Sequence, residues 1–268
     1  KNFMKYKKNI NDIINNVIWI TGCARSGTTI LGKILSSLKG IEYAFEPDFL
    51  FGLLPNIHKI NKKIWVDLYE TYIIEELFFN FCSGRRFNFK KNEDSFIGHQ
   101  LYNNDIKKKL TINLRRKDLE HYLENRKKKL LIKMPDISKN LITLEKYFPK
   151  NKFIITYRNT KSIYASIKKK QWFKTNNKLP WIYKNKELLG KNNYQKWIKM
   201  SENDKIEMYI REMNKSCAKI KNKHVFVYEN LLSNPNKEID KICKFLNLKK
   251  TKKTLDIIKT VRRIKYIN

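Results

Sequence analysis

Cysteine is scarce in this chain. The four present, Cys23, Cys82, Cys217 and Cys243, stand far apart and form no CxxC pair. That pattern excludes a dense disulfide framework and speaks against a zinc site, so no metal is expected. A reducing compartment is the simplest setting. Cys217 and Cys243 fall in helical, mostly apolar patterns and are expected in the core. Long apolar runs are missing too. The best, Ile13 to Ile20, is short and broken by Asn15 and Asn16, so nothing reads as a membrane span. No cleavable leader is visible, although the chain opens at Lys1 rather than Met. A cytoplasmic enzyme is expected, and the trimmed catalytic part of an anchored one reads the same way.

Acidic residues are also in short supply. The 25 Asp and Glu face 58 Lys and Arg, which leaves a formal net charge of +33. Nucleic-acid binding is one reading, through release of counterions from phosphates. However, Lys far outnumbers Arg and is spread along the whole chain beside abundant Asn and Ile, a trio that an AT-rich genome produces regardless of function. Sequence-specific readers of DNA lean on Arg. No specific nucleic-acid partner is therefore expected, while a polyanionic cosubstrate or an acidic acceptor would be attracted.

What is present suits a folded domain: 41% hydrophobic residues with 13% aromatics over 268 positions. Val17 to Thr21 is a short apolar run of the kind a buried parallel strand shows. Thr28 to Leu38 carries Ile30, Leu31, Ile34, Leu35 and Leu38 at helical spacing, and Gly40 stops it. Ile41 to Phe45 reads as a second strand. Residues 48 to 128 are less orderly, with a helix expected over Trp65 to Phe81. Further strands are expected at 130–133, 153–157 and 225–228. Helices are expected at about 138–147, at 160–169 and from Pro235. This alternation predicts the α/β class, with one domain over 1–268 built on a central parallel sheet flanked by helices.

Between the first strand and helix stands Gly22-Cys23-Ala24-Arg25-Ser26-Gly27-Thr28-Thr29. Such a loop presents backbone N–H groups to a phosphate, with the helix dipole adding to the attraction. The spacing follows GxxxxGK[ST] to the second glycine, but Thr28 stands where a nucleotide triphosphatase has Lys. An unliganded strand-to-helix turn is the plainer reading of the glycines alone. The run Arg-Ser-Gly-Thr-Thr adds hydroxyls at a helix N-terminus and weakens that reading.

Cys23 to Leu31 resembles the 5′-phosphosulfate loop of sulfotransferases that use 3′-phosphoadenosine 5′-phosphosulfate (PAPS), written P-R-S-G-T-T-L-L. Ala24 replaces the usual Pro, which puts the stiffness of the turn in question but removes no ligand group. The resemblance implies PAPS as donor, adenosine 3′,5′-bisphosphate as product, and contacts from Ala24, Arg25, Ser26, Gly27, Thr28 and Thr29. Phe153 to Ser166 resembles the family's 3′-phosphate site, with Arg158 ending a strand and Ser166 eight residues on. Arg158 would offer a planar donor fork and Ser166 a hydroxyl. Lys161 replaces a common Arg there and keeps the charge. Singly, Arg158 also reads as a surface ion-pair partner and Ser166 as a small packing residue; their joint spacing favours the site. Val227 to Leu248 resembles the late Y-E-D-L-L-x-x-P…F-L-G-L segment, which places Tyr228 near the nucleotide and leaves Glu229 a local cap or pair.

The same resemblance implies metal-free sulfuryl transfer that rests on positioning and electrostatics. Arg25 would bridge sulfonate and 5′-phosphate. Lys133, in an Ile-Lys-Met-Pro run like the family's Lys-x-Pro, would stabilise the transferring group; one more exposed Lys is the competing reading. Glu46 resembles the acid of the F-E-P element of carbohydrate-acting members and would be the base. The alternative is a Glu that only pairs with a Lys. Asp48 and Glu42 are weaker candidates. His58, His99 and His121 lie in the poorly matched region, and His224 reads as structural. The acceptor is expected to be a hydroxyl of a carbohydrate or glycolipid, with tyrosine or a small alcohol behind. It would be chosen by the insertion at about 50–130. Arg262, Arg263 and Lys265 near the end are a further possible phosphate contact or a solvated tail. Two rival functions remain at this point, a P-loop kinase and a basic nucleic-acid-binding module.

Overall fold

The computed structural model describes residues 8–124, 126–174, 195–197 and 199–264. Its centre is a five-stranded sheet in the order β2-β3-β1-β4-β5. The strands are β1 (Ile18–Gly22), β2 (Ile41–Phe45), β3 (Lys129–Lys133), β4 (Lys152–Tyr157) and β5 (Lys223–Val227). All four pairings are parallel. Each strand therefore needs a crossover, and helices fill both faces.

Alternate residues of β1 show the two layers. Ile18 and Ile20 pack with Leu31, Ile34 and Leu35 of the following helix and with Ile239, Ile242 and Ile258 from the C-terminal part. Trp19 points the other way, into a larger core with Ile132, Phe153, Ile163, Ile206 and Met213. Both faces are buried, which is why these strands read as nearly unbroken apolar runs.

The helices are α1 (Lys8–Asn15), α2 (Thr28–Ser36), α3 (Asp48–Leu53), α4 (Lys62–Thr71), α5 (Phe79–Cys82), α6 (Asn103–Leu110), α7 (Leu119–Glu124), α8 (Ser138–Tyr147) and α9 (Thr160–Lys169). After them come α10 (Glu202–Ala218), α11 (Tyr228–Ser233), α12 (Pro235–Leu246) and α13 (Lys252–Ile264). The expected single helix over Trp65 to Phe81 is interrupted: a π-helical stretch, Tyr72–Phe78, joins α4 to α5. Its wider turn buries Ile73, Ile74, Leu77 and Phe78 together. Strand β5 stops at Val227, so Tyr228 opens α11 instead of ending the strand. Cys217 and Cys243 are buried as expected. Among the described residues, no helix is long and apolar enough to cross a membrane.

A parallel sheet delivers all its strand ends to one edge. Here the C-terminal edge carries the loop after Gly22, Glu46 after β2, Lys133 at the end of β3, Arg158 after β4 and Tyr228 after β5. Ligands gather at this edge in open α/β sheets.

Candidate active site

The loop between β1 and α2 is held by its glycines and by a buried polar network. Gly22 has φ 144°, and a Cβ there would come within 2.5 Å of the Thr156 carbonyl and hydroxyl. Gly27 has φ 97°, and a Cβ would meet the Tyr228 ring at 2.6 Å. Both positions therefore require glycine, for conformation and for space. Arg25 itself takes a left-handed φ of 69°. Ser26 is fully buried; its hydroxyl donates to the Cys23 carbonyl and shares a 2.5 Å contact with the Thr156 hydroxyl. That hydroxyl is thus taken up in shaping the turn.

Ala24 stands where a proline would have no N–H. Here the Ala24 N–H donates to the Tyr209 hydroxyl at 3.0 Å and to Asp136 Oδ1 at 3.2 Å. The Tyr209 hydroxyl in turn donates to the same Asp136 oxygen. Hydrogen bonds therefore restrain the turn that a pyrrolidine ring would otherwise stiffen. Asp136 is fixed by its own N–H, which donates to the Gly22 carbonyl at 3.2 Å. Burial, then the Asp136 charge, holds the Cys23 thiol well above its ordinary range, so this loop cysteine is protonated and no nucleophile. Burial and Asp136 push Tyr209 up in the same way.

Beyond the loop, α2 opens at Thr28 with no side-chain cap on Gly27. The first-turn N–H groups of a helix have no intrahelical acceptor, so they and the dipole face the mouth of the loop. The two arginines close over it. Arg25 Nε donates to the Ser166 hydroxyl at 2.9 Å, and its guanidinium lies 5.8 Å from the Trp172 ring. Arg158 Nη1 donates to the Arg25 carbonyl at 3.2 Å, and its guanidinium stacks on Tyr228 at 4.5 Å. The Arg158 Nε is buried without a hydrogen-bond partner among the described residues. Arg25, Arg158, Ser166 and Tyr228, drawn from four segments, thus form one cluster around the turn Ala24–Thr29. Glu229 caps locally, accepting from the Asn159 N–H at 2.9 Å.

Glu46 and Lys133 meet directly. Their side chains form an ion pair, with Lys133 only 3% exposed and Glu46 30%. The pairing follows from register: Phe45 lies opposite Lys133, and the Glu46 N–H donates to the Lys133 carbonyl at 2.8 Å. Lys133 is therefore no surface lysine, and its ammonium sits 4.4 Å from the Phe45 ring centre. Glu46 has φ 44°, a left-handed conformation unusual for a glutamate.

The other candidates fall elsewhere. Glu42, at the start of β2, is buried between Lys109 and Lys128, the latter at 2.7 Å. It is a structural ion-pair centre away from the C-terminal edge. Asp48 is exposed in the first turn of α3. His58 contacts Thr143 and His121 contacts Glu124, both at the surface. His99, half-buried against Phe96, is held below the usual histidine range by burial and Lys33. His224 packs on Phe245, and burial lowers its pKa as well. Lys161 is exposed in the first turn of α9. The side chains of Arg262, Arg263 and Lys265 lie outside the described residues.

The sulfotransferase family matches residues 17–252. The chain belongs to this family. It is a PAPS-dependent sulfotransferase, an enzyme whose family implies a sulfuryl donor and a hydroxyl-bearing acceptor. Among solved structures, it is similar to a sulfotransferase domain from the Synechococcus PCC 7002 olefin synthase. The two share 17% identity, over 90% of this chain and 76% of that one, at a TM-score of 0.49. A sulfotransferase from Mycobacterium avium is similar at 13% identity, covering 94% of this chain and 69% of the other, with a TM-score of 0.45. No curated protein matches the chain.

Asp136, Tyr209 and Trp172 were not singled out from the sequence. Asp136 carried one usable signal, an acid three residues beyond a strand end at the edge where ligands bind.

Proposed function

We propose that this sulfotransferase moves the sulfuryl group of PAPS to a hydroxyl of a carbohydrate or glycolipid, by in-line transfer with Glu46 as base. The observation that carries this reading is the convergence of Arg25, Arg158, Ser166 and Tyr228 on the turn Ala24–Thr29, beside the Glu46–Lys133 pair. The fit to a bisphosphorylated donor is supported by the buried Arg158 Nε, which has no partner among the described residues.

In this mechanism the amides of Gly27, Thr28 and Thr29 and the α2 dipole hold the 5′-phosphate. Arg158 and Ser166 hold the 3′-phosphate. Glu46 takes the proton of the acceptor hydroxyl as its oxygen bonds to sulfur. The bond from sulfur to the 5′-phosphate oxygen breaks, and Arg25 and Lys133 offset the charge left on that oxygen and on the transferring group. The ion pair gives Lys133 a second role, since it orients the carboxylate and shares it with the incoming hydroxyl. The reading takes 1–268 as a single domain, with the 50–130 segment on the acceptor side.

The test is transfer itself. With PAPS and a mixed glycoside panel, sulfated product should appear, whereas ATP with magnesium should give no phosphorylated product. Transfer from ATP with indifference to PAPS would overturn the reading in favour of a kinase.

A further inference from the structure

A cavity of about 470 Å³ opens beside the end of β2, between that strand and the segment 81–100. Tyr43, Phe45 and Phe87 give it aromatic walls, and Asn88, Ser95 and Gln100 add polar groups. Phe45 ties this cavity to the chemistry. It precedes Glu46, lines the cavity, and carries the Lys133 ammonium over its ring at 4.4 Å. Tyr43, 3% exposed, packs its hydroxyl against Gly32 of α2, where it is buried with no hydrogen-bond partner among the described residues.

The charge of the cavity is its most informative property. The chain as a whole carries +33, so a wall chosen at random would be strongly basic. Instead, the cations here are engaged. Arg86 pairs with Glu76 at 2.6 Å, and Lys90 pairs with Glu93 at 3.3 Å. Glu93 also accepts from the Asn88 side chain at 2.7 Å, and Asn88 donates to Ser95 at 2.6 Å. The segment is anchored to the donor-side helix by the Lys33–Asp94 ion pair at 2.7 Å. The result is aromatic surface edged by amides and hydroxyls, with its charges paired off.

We infer that this cavity is the acceptor subsite and that it takes an uncharged sugar ring, stacked on the aromatic wall and hydrogen-bonded by Gln100. This rests on the proposed sulfuryl transfer at Glu46. An acidic sugar would bring a carboxylate to a place whose cations are already engaged, and would leave it poorly compensated. Rings with an apolar face and a rim of hydroxyls match flat aromatic walls flanked by amides.

The experiment uses matched glycosides, each as the neutral hexoside and as its 6-carboxylate, with PAPS as donor. The neutral members should be favoured by about tenfold in kcat/KM, the difference expected for a charge left without a partner. Phe87→Ala and Gln100→Ala should each raise the acceptor KM by about fivefold, while the Tm rise given by adenosine 3′,5′-bisphosphate stays at its wild-type value. Preference for the carboxylates, an unchanged acceptor KM in both variants, or no turnover of any glycoside with the bisphosphate response intact overturns the acceptor assignment alone. Absence of a bisphosphate response in the wild type overturns the donor site and this inference together.

Discussion

Replacing Arg158 with alanine should remove about half or more of the Tm rise that adenosine 3′,5′-bisphosphate gives the wild-type protein. A ligand at a hundred times its Kd stabilises by about 2.7 kcal/mol, which for a domain of this size is a rise of roughly 5 to 10 °C. A hydrogen bond to a charged group contributes about 1.5–3 kcal/mol, so losing the guanidinium should weaken binding by about tenfold to a hundredfold. Arg158 has a second role: it donates to the Arg25 carbonyl at 3.2 Å and thereby braces the loop. Arg158→Lys separates the two effects, because a lysine keeps the charge but not the planar fork. It should recover only part of the rise. An Arg158→Ala protein that keeps the full response would remove Arg158 from the donor site.

The second large effect is at Glu46. Glu46→Gln should retain the bisphosphate response and lower kcat by about a hundredfold to ten-thousandfold, the usual contribution of a positioned base. Glutamine is the right substitution because its Oε1 still accepts from Lys133, so the geometry of the pair survives while the proton acceptor is lost. Unchanged turnover would exclude Glu46 as the base and leave it as the partner that keeps Lys133 buried.

These two residues show what a sequence can and cannot disclose. Arg158 and Ser166 are eight residues apart on one strand-helix unit, so local pattern was enough to associate them, and the loop from Gly22 to Thr29 is equally local. The strands β1 to β4 were legible because burial on both faces leaves continuous apolar runs. The Glu46–Lys133 pair was not legible, since it depends on the parallel register that sets Phe45 opposite Lys133. Both residues were singled out, but each was weighed against a looser partner or an exposed position. The brace on the loop was hidden for a similar reason. Asp136 and Tyr209 are 73 residues apart, and Tyr209 lies in α10, where charged and apolar residues alternate without an obvious site pattern. The missing proline at Ala24 was visible; what compensates for it required the fold.

The cavity beside β2 illustrates the limit of composition as well. A net charge of +33 suggests an appetite for anions, yet the walls near Glu46 have their cations paired. Charge count describes the whole surface, whereas recognition depends on which charges are still available at one place.

In the proposed site, this turn and its two arginines bind a nucleotide carrying phosphates at both the 5′ and 3′ positions. Calorimetric titration of the wild-type protein with adenosine 3′,5′-bisphosphate and, separately, adenosine 5′-monophosphate tests it most directly. The bisphosphate should bind at least about tenfold more tightly, since only it can engage Arg158 and Ser166. Equal affinity for the two nucleotides, or no binding of the bisphosphate, would contradict it.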